Sequence, residues 1–291
     1  MNLVIFGAGY SGLAIARALR GEAVIAGTTR SRERFAGLEA AGVEPFVFDG
    51  TVGGDLRDRL ADVTHVVQSI APAREAVPGE RCVDPVLAAL GLDATPRLEW
   101  VGYLSTVGVY GDHGGAWVDE RTEPRPTSAR SKRRVAAENE WRRAADARGV
   151  PLAVLRLSGI YGPGRNAFAA ARDGRARRLV KPGQVFNRIH VDDIAEAVRL
   201  AARARHDGTL NITDDEPAPP QDVVEYAHAL MGREPPPEQD FAGADLSPMA
   251  RSFYGENKRV SNARSKAALG LRYAHPTFRE ALSAMWPDGW R

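Results

Sequence analysis

The sequence is poor in cysteine and carries almost no net charge. Cys82 is the single cysteine among 291 residues, so no disulfide can form within the chain, and a reducing compartment fits. We interpret it as an incidental small apolar residue. Lysine and arginine number 39 and the acidic residues 37, which leaves a net charge of +2. Such a balance gives no reason to expect nucleic acid or an anionic membrane as a partner.

Long apolar runs are also absent. No stretch approaches the roughly 20 apolar residues that a membrane-spanning helix needs, and no signal-peptide pattern precedes the first predicted strand. We therefore expect a cytoplasmic protein. A chain of 291 residues, 44% of them hydrophobic, can bury the core of one large α/β domain or of one domain and part of another.

A glycine-rich turn stands between a predicted strand and a predicted helix near the start of the chain, over residues 3–6, 7–12 and 13–19. This order is typical of dinucleotide binding, because a sharp turn, a close approach of the pyrophosphate and tight helix packing each require a glycine. The helix N-terminus also offers free N–H groups to phosphates. The alternative is a tight turn without a ligand. We assign these turn residues to the cofactor: Gly7, Gly9, Tyr10, Ser11 and Gly12.

The end of the second predicted strand, residues 23–29, indicates which dinucleotide binds. An acid there binds the ribose hydroxyls of NAD, whereas a basic residue accommodates the 2′-phosphate of NADP. Thr29 and Arg30 stand there with no acid before Glu33, which favours NADP and leaves NAD as the alternative. Arg30 could instead cap a surface turn. Five further cofactor contacts are predicted at strand ends: Asp49 (alternatively a turn residue), Ser69, Ile70, Ala71 and Ser105.

Four later segments carry a resemblance to a known family. They are YLSTVGVYGD (103–112), LRLSGIYGPGR (155–165), RIHVDDIAEAV (188–198) and NITDDEP (211–217). With the glycine-rich turn, they resemble the extended short-chain dehydrogenases/reductases of the NAD-dependent epimerase/dehydratase family. The resemblance implies a nicotinamide cofactor and a substrate hydrogen bond from Thr106.

The sequence departs from this family at the catalytic helix, where family members carry Tyr-x-x-x-Lys. There the tyrosine moves a proton, and the lysine lowers its pKa and holds the ribose. With Glu138 as the anchor, Arg130 takes the tyrosine position and Arg134 the lysine position. With Lys132 as the lysine, Ser128 takes the tyrosine position. Arginine is a poor acid or base but a good anion clamp, so we predict that both arginines face the crevice; a solvated helix face is the alternative.

Two other tyrosines are candidates for the missing proton donor. Tyr110 closes the turn after Thr106, and Tyr161 follows the sixth predicted strand. Both could instead be structural turn residues. Loss of the catalytic pair resembles the atypical branch of the superfamily, which keeps the cofactor fold. Two functions stay open: an NADP-dependent oxidoreductase or epimerase-like enzyme on a small polar substrate, anionic if the arginines clamp it, and a dinucleotide-binding sensor or partner-binding module without turnover.

The segment before HVDD lacks a second family feature. Nucleotide-sugar members place an arginine about four residues before this histidine, where Phe186 stands here. Arg188 is the candidate replacement, and a nucleotide-sugar substrate is thereby put in doubt. We interpret His190 and Asp192 as fastening this segment to the core, and we predict no metal site because two ligands do not define one.

Alternating strand and helix signals predict the fold and the domain bounds. They indicate an α/β, Rossmann-like doubly wound parallel sheet with right-handed crossovers and a small C-terminal substrate lobe. The dinucleotide-binding domain is predicted over residues 1–164 and 186–216, and the lobe over residues 165–185 and 217–291. A small-molecule substrate is expected, while its identity and the oligomeric state stay open.

Overall fold

The computed structural model describes residues 1–73 and 84–286, in which strands alternate with helices. The interpretation of Cys82 falls outside these residues. The strands are β1 (Asn2–Phe6), β2 (Val24–Thr29), β3 (Glu44–Val47), β4 (His65–Gln68), β5 (Trp100–Thr106), β6 (Trp117–Val118), β7 (Leu152–Leu157), β8 (Gly159–Tyr161), β9 (Arg178–Val180), β10 (Arg188–His190), β11 (Gly208–Ile212), β12 (Glu238–Asp240) and β13 (Arg259–Val260).

Helices connect most of these strands. Over the described ranges, none is long and apolar enough to cross a membrane. The helices are α1 (Tyr10–Ala18), α2 (Phe35–Ala40), α3 (Gly54–Leu60), α4 (Pro85–Leu90), α5 (Ala129–Arg148), α6 (Ala167–Arg172), α7 (Val191–Ala204), α8 (Pro220–Leu230), α9 (Pro248–Phe253), α10 (Ala263–Leu269) and α11 (Phe278–Met285), with 3-10 turns at Arg32–Arg34 and Val107–Tyr110.

Seven strands form one parallel sheet in the order β11-β7-β5-β4-β1-β2-β3. The chain starts at β1, proceeds outward to β3, and then returns to β4 on the other side of β1. In such sheets a ligand crevice opens outside the carboxyl ends of the strands where the order reverses. That point lies between β1 and β4, directly beside the glycine-rich turn. The predicted doubly wound, Rossmann-like sheet is confirmed.

Helices cover both faces of the sheet because its central strands are apolar on both sides. Leu3 and Ile5 of β1 belong to one buried cluster with α1 and α7, whereas Val4 and Phe6 belong to another with α3 and α5. A strand covered on both faces requires such a continuous apolar run. Trp141 of α5 is fully buried in the second cluster, and this anchors the helix whose first turns reach the site.

The later elements pack in smaller clusters of their own. Phe168 of α6, Phe278 and Leu282 share one cluster with α8, and β12 pairs with β9. Helix α10, although predicted within the lobe, contacts α7 and β11, and Leu271 after it joins the main core. The last part of the chain therefore packs partly on the dinucleotide-binding half.

Candidate functional site

The glycine-rich turn has the backbone that close phosphate binding requires. Gly7 has a φ of +82°, which favours glycine, and a Cβ there would lie 2.9 Å from Ile70 Cγ1. A Cβ on Gly12 would lie 3.0 Å from the Gly7 carbonyl oxygen, so Gly12 permits α1 to pack on the turn. A Cβ on Gly9 would have only the Gly7 carbonyl oxygen near it, at 4.0 Å, so the space outside Gly9 is open. These features match the tasks predicted for the three glycines.

A cavity of about 300 Å³ adjoins one side of the turn, between the ends of β1, β2 and β3. Arg30 and Arg34 are exposed at its wall, and neither pairs with an acid among the described residues. The Asp49 carboxylate accepts hydrogen bonds from Thr51 N–H (3.0 Å) and Oγ1 (2.7 Å), which hold its pKa below the usual value. The lining residues are Gly7, Ala8, Gly9, Thr28, Thr29, Arg30, Arg34, Phe48, Asp49, Gly50, Ile70 and Pro85.

Three residues predicted at the cofactor line neither cavity: Gly12, which packs α1 on the turn, Tyr10 and Ala71. Tyr10 points its hydroxyl to the Pro163 carbonyl oxygen, at 3.0 Å, and so ties the start of α1 to the loop after β8. Ala71 is exposed beyond the end of β4. The strand end itself is held by Gln68, whose Oε1 accepts a hydrogen bond from Ile70 N–H at 2.7 Å. The cofactor contacts predicted for Tyr10 and Ala71 therefore have no support in the cavity geometry.

A larger cavity of about 720 Å³ lies beyond the carboxyl ends of β4, β5 and β7. Ser11 and Ser69 lie at its edge toward the glycine-rich turn, and the later elements close its far side. The residues that line it are Ser11, Ser69, Leu104, Ser105, Thr106, Val107, Gly108, Ser128, Arg130, Ser131, Arg134, Leu157, Ser158, Gly159, Ile160, Tyr161, Arg165, Val185, Phe186, Asn187, Arg188, Ala250, Ser252, Phe253, Tyr254, Glu256 and Lys258.

Positive charge dominates this wall. The described lining residues include four arginines and Lys258, against the single acid Glu256. Lys258 is buried and bonds Glu256 at 2.8 Å and the Gly111 carbonyl oxygen at 2.7 Å, so these two charges largely cancel. The arginines remain as an unbalanced positive surface: Arg130, Arg134, Arg165 and Arg188.

Arg130 and Arg134 both line the cavity from the first turns of α5. The Arg134 Nη1 donates to the Leu104 carbonyl oxygen and to the Tyr103 hydroxyl, both at 3.0 Å, which fixes this guanidinium against the end of β5. Arg130 is exposed, and its Cζ lies 4.7 Å from the ring centre of Phe253 on α9. One arginine is thus held in place by the sheet, while the other bridges α5 to the later elements.

Three hydroxyl groups stand between the arginines and the sheet. Thr106 ends β5, one residue beyond the predicted strand, and its Oγ1 accepts the Gly108 N–H at 3.1 Å. Ser131 is buried, and its Oγ accepts a hydrogen bond from Ser128 Oγ at 2.9 Å. A Cβ on Gly108 would lie 3.1 Å from Ser131 Oγ, so glycine leaves that hydroxyl its place. The Thr106 hydroxyl keeps its own proton for a ligand.

Ser105 bonds the protein itself. Its hydroxyl donates to Glu138, whose other oxygen pairs with Arg156 at 2.8 Å, and both charged side chains are buried. Removing one member of such a pair leaves an uncompensated buried charge. Glu138 was the anchor for one register of the helix, and its contacts give it a structural role at the base of the site.

The prediction that Tyr110 is a proton donor is corrected. Its side chain is fully buried, it does not line the cavity, and its hydroxyl donates to Asn211 Oδ1 at 2.8 Å. The Arg156 Cζ lies 4.9 Å from its ring centre. The tyrosine of the VYG turn therefore packs the turn and does not reach a substrate.

Tyr161 lies at the cavity instead. Its hydroxyl oxygen is buried and has no hydrogen-bond partner among residues 1–73 and 84–286. Burial, together with the nearby Asp214 carboxylate, raises the pKa of this phenol, so the group stays protonated at neutral pH. A buried O–H without an acceptor is a donor available to a ligand.

His190 and Asp192 belong to a group of three side chains with His275, whose ligand-type atoms lie within 4.8 Å of one another. The His190 Nδ1 accepts the Asp192 N–H at 3.3 Å and so caps α7. The Asp193 carboxylate accepts the N–H groups of Ala274 (2.7 Å) and His275 (3.1 Å). These bonds join the start of α7 to the chain near its end, as the fastening role requires.

The family model for the NAD-dependent epimerase/dehydratase family matches residues 3–213, which contain all seven strands of the central sheet. The chain belongs to this family. Among its relatives, Protein YeeZ from Escherichia coli K12 is 27% identical over 293 residues, covering 94% of this chain and 96% of YeeZ.

Two further proteins are similar to this chain. A 3-diazoavenalumate denitrifying reductase from a Streptomyces species is 30% identical over 173 residues, 55% of this chain and 54% of the reductase, so the chain spans about half of that relative's length. A solved structure of a functionally unknown conserved protein from Silicibacter pomeroyi DSS superposes with a TM-score of 0.87 at 46% identity, covering 99% of both chains.

The residues of this epimerase/dehydratase family member fit the dinucleotide for which the family is named. The open space at Gly9 would admit a pyrophosphate and the small cavity an adenosine, and Ser11 and Ser69 line the larger cavity beside them. A bound nicotinamide supplies or accepts a hydride. In the register anchored on Glu138, the family's tyrosine and lysine positions hold Arg130 and Arg134; in the other register they hold Ser128 and Lys132.

Sequence reasoning missed three contributors to the site. Arg34 follows Arg30 by four residues, a helical spacing that could have indicated a shared face. Tyr103 opens the YLSTVGVYGD segment, but nothing in that segment indicated its hydrogen bond with Arg134. Asp214, within NITDDEP, carries a buried carboxylate oxygen without a hydrogen-bond partner among the described residues.

Proposed function

We propose that this protein is an NADP(H)-dependent oxidoreductase that acts on a small anionic carbonyl compound. The observation that carries the proposal is the large cavity at the carboxyl ends of the strands, where four arginines face Thr106 and Tyr161. An anion is the ligand that such a wall favours, because Arg134 and Arg188 are partly buried and none of the four arginines pairs with a described acid. The Streptomyces relative is named as a reductase, which agrees with this reaction class.

NADP is preferred over NAD in this proposal because of the small cavity. Arg30 and Arg34 offer two guanidinium groups where the adenosine ribose lies in dinucleotide-binding folds. Guanidinium groups match phosphate oxygens in charge and in hydrogen-bond geometry. Asp49 keeps its own hydrogen bonds to Thr51 and so leaves the arginines uncompensated.

Four residues at the large cavity have separate tasks in the proposed reaction. Arg134, held by the Leu104 carbonyl, positions the ribose as the family's lysine does. Thr106 donates its hydroxyl proton to orient the substrate carbonyl. Tyr161 gives its proton to the carbonyl oxygen as that oxygen becomes an alkoxide, and then regains a proton from solvent. Arg130 attracts the substrate anion from the entrance formed by α5 and α9.

A second candidate function follows from the helix that lost its tyrosine. Arg130 stays protonated at neutral pH and cannot move a proton, so a protein that binds the dinucleotide without turnover would keep the same fold. This candidate predicts dinucleotide binding with no consumption of NADPH by any carbonyl compound.

Calorimetric titration with NADPH and NADH, followed by NADPH absorbance with carbonyl-bearing carboxylic acids and their methyl esters, tests the proposal. We expect tighter binding of NADPH than of NADH, and a kcat/KM for the acids at least about tenfold above that for the esters. Tight NADPH binding without oxidation in single-turnover mixtures would favour the binding module. Equal rates for acids and esters would remove the arginines from substrate recognition.

A further inference from the structure

Arg188 is a fixed guanidinium at the inner wall of the large cavity. It lies on β10, which pairs in parallel with β8, and its register partner is Gly159. Its Nη1 donates to the carbonyl oxygens of Phe186 (3.0 Å) and Ala218 (3.1 Å). Two backbone acceptors and the ring of Phe278, 5.8 Å from Cζ, therefore set its position. Arg188 lines the cavity from this position.

Arg188 makes no ion pair with any residue that the structure describes. Arg156, the other buried guanidinium at the ends of these strands, pairs with Glu138 at 2.8 Å. Asp214, Glu216 and Asp222 lie in electrostatic range of Arg188, and Glu216 is already paired with Arg279 at 3.1 Å. Arg188 is thus a partly buried cation whose close counter-charge does not come from the described protein, and an anion in the cavity would supply it.

The free edge of Arg188 suits a carboxylate. Both bonds to carbonyls use Nη1, so Nε and Nη2, which lie on one edge of the planar group, have no partner among the described residues. These two N–H donors match the two oxygens of a carboxylate in a parallel, bidentate arrangement. A lysine could offer charge here but not this geometry.

Tyr161 stands beside that edge. The β8–β10 register places Tyr161 opposite His190, and their rings meet edge to face with centroids 5.4 Å apart. Side chains two residues apart on a strand share a face, so Arg188 and Tyr161 project to the same side. Each affects the pKa of the other, and the Tyr161 hydroxyl has no hydrogen-bond partner in the part of the chain that the structure describes. Two unused donors, one for an anion and one for a neutral oxygen, therefore lie next to each other.

Apolar side chains share this wall with Arg188. Leu157, Ile160 and Phe186 line the cavity around Arg188, and Tyr254 packs edge to face on Phe186 with centroids 5.1 Å apart. A hydrocarbon or aromatic body can pack there, whereas a nucleotide-sugar would need a charged contact at position 186.

We propose that Arg188 binds the carboxylate of a 2-oxo acid whose carbonyl oxygen contacts Tyr161, so that the substrate class is a 2-oxo acid with an apolar side chain. This proposal rests on the oxidoreductase function for its chemistry. The hydride adds to the carbonyl carbon, the Tyr161 proton adds to the carbonyl oxygen, and the product is the 2-hydroxy acid with oxidised NADP. Only in 2-oxo acids is the carbonyl adjacent to the carboxylate.

Asp214 agrees with a singly charged ligand. Burial raises the pKa of this carboxyl to about 8, although Arg188 acts in the opposite direction and Asp215 and Glu216 add to the increase. A protonated Asp214 leaves the charge of Arg188 to the ligand at neutral pH. A phosphate dianion would add a second negative charge beside these acids, so the carboxylate is favoured.

Binding measured by calorimetry on the protein saturated with oxidised NADP tests the proposal without turnover. The probes are phenylpyruvate, its methyl ester, 3-phenylpropionate and phenyl phosphate. We expect phenylpyruvate to bind most tightly, 3-phenylpropionate several-fold more weakly because it lacks the carbonyl, and the ester at least about tenfold more weakly than phenylpyruvate. Arg188→Lys should weaken both acids about tenfold, and Tyr161→Phe should weaken phenylpyruvate while leaving 3-phenylpropionate unchanged.

Arg178→Lys is the matched control, because Arg178 lies on β9 and pairs with Glu225 (2.6 Å) and Glu238 (2.9 Å). It should leave all four affinities unchanged. Tyr161→Phe removes a hydroxyl that has no partner among the described residues, so the Tm of this variant should not fall. It therefore supplies a folded variant if Arg188→Lys unfolds.

Three results would overturn the proposal: no binding of phenylpyruvate, equal binding of acid and ester, or unchanged affinity in Arg188→Lys. Tighter, Arg188-dependent binding of phenyl phosphate would reassign the site to phosphate. NADPH oxidation tests the oxidoreductase function separately.

Discussion

Replacing Asp214 by asparagine should remove part of the pH dependence of the free energy of unfolding. Asp214 is 1% exposed, and burial raises its pKa from 3.8 to about 8. The folded carboxyl therefore holds a proton that the unfolded chain has released between about pH 4 and pH 8. The folded state binds more protons in this window, so the free energy of unfolding falls as the pH rises through it.

The magnitude follows from the two pKa values. At pH 7 the unfolded carboxyl is about three pH units above its pKa of 3.8 while the folded one is still protonated. At about 1.36 kcal/mol per unit, the cost to the folded state reaches roughly 4 kcal/mol as an upper bound. Asp214→Asn avoids this cost and keeps an oxygen that can accept the Glu216 N–H, bonded by Asp214 Oδ1 at 3.3 Å.

Urea unfolding between pH 4.5 and 8.5 measures the effect. We expect the variant to gain stability relative to the parent as the pH rises, by up to about 4 kcal/mol near pH 8 and by little near pH 4.5. Asp62→Asn is the control for the substitution itself, because Asp62 is exposed, pairs with Arg97 at the surface and is not among the groups that act on Asp214. Parallel curves for parent and Asp214→Asn would refute the buried, protonated carboxyl.

Three further substitutions test other parts of the site. Gly9→Val should abolish dinucleotide binding in calorimetry while the fold persists, because a side chain at Gly9 meets open space in the protein and occupies the pyrophosphate position; retained affinity would contradict this. Arg30→Ala should weaken NADP about ten- to a hundredfold, equivalent to roughly 1.5–3 kcal/mol, and leave NAD nearly unchanged; equal losses would make Arg30 structural. Tyr110→Phe should cost about 1–3 kcal/mol of stability, since Asn211 loses a buried donor, with kcat unchanged; a large fall in kcat would return Tyr110 to catalysis.

Local sequence was sufficient for the fold and for the turn between β1 and α1. The apolar run before Gly7 and the helix after it are neighbours in the chain, and each glycine acts on atoms within a few residues of itself or on the adjoining strand. The absence of tyrosine from both registers of α5 could also be read directly. Such features depend on contacts close in sequence, which a residue pattern records.

The roles of the two candidate tyrosines depended on distant contacts. Tyr110 and Tyr161 both follow a predicted strand, and their local sequences are alike: Tyr110 stands in VYG and Tyr161 in IYG. Tyr110 is buried and donates a hydrogen bond to Asn211, 101 residues later. Tyr161 instead lines the large cavity, on the strand that pairs with β10. No local pattern distinguishes the two positions, because the burial of each is decided by segments far along the chain.

The charge balance of the cavity was likewise decided by the tertiary structure. Arg156 and Arg188 are both arginines at strands of the core, but α5 brings Glu138 to the first, and no described acid pairs with the second. An arginine's partner is set by which helix crosses which strand end. For that reason the sequence indicated an anion near Arg130 and Arg134, whereas the pairing of distant elements singled out Arg188 and Asp214.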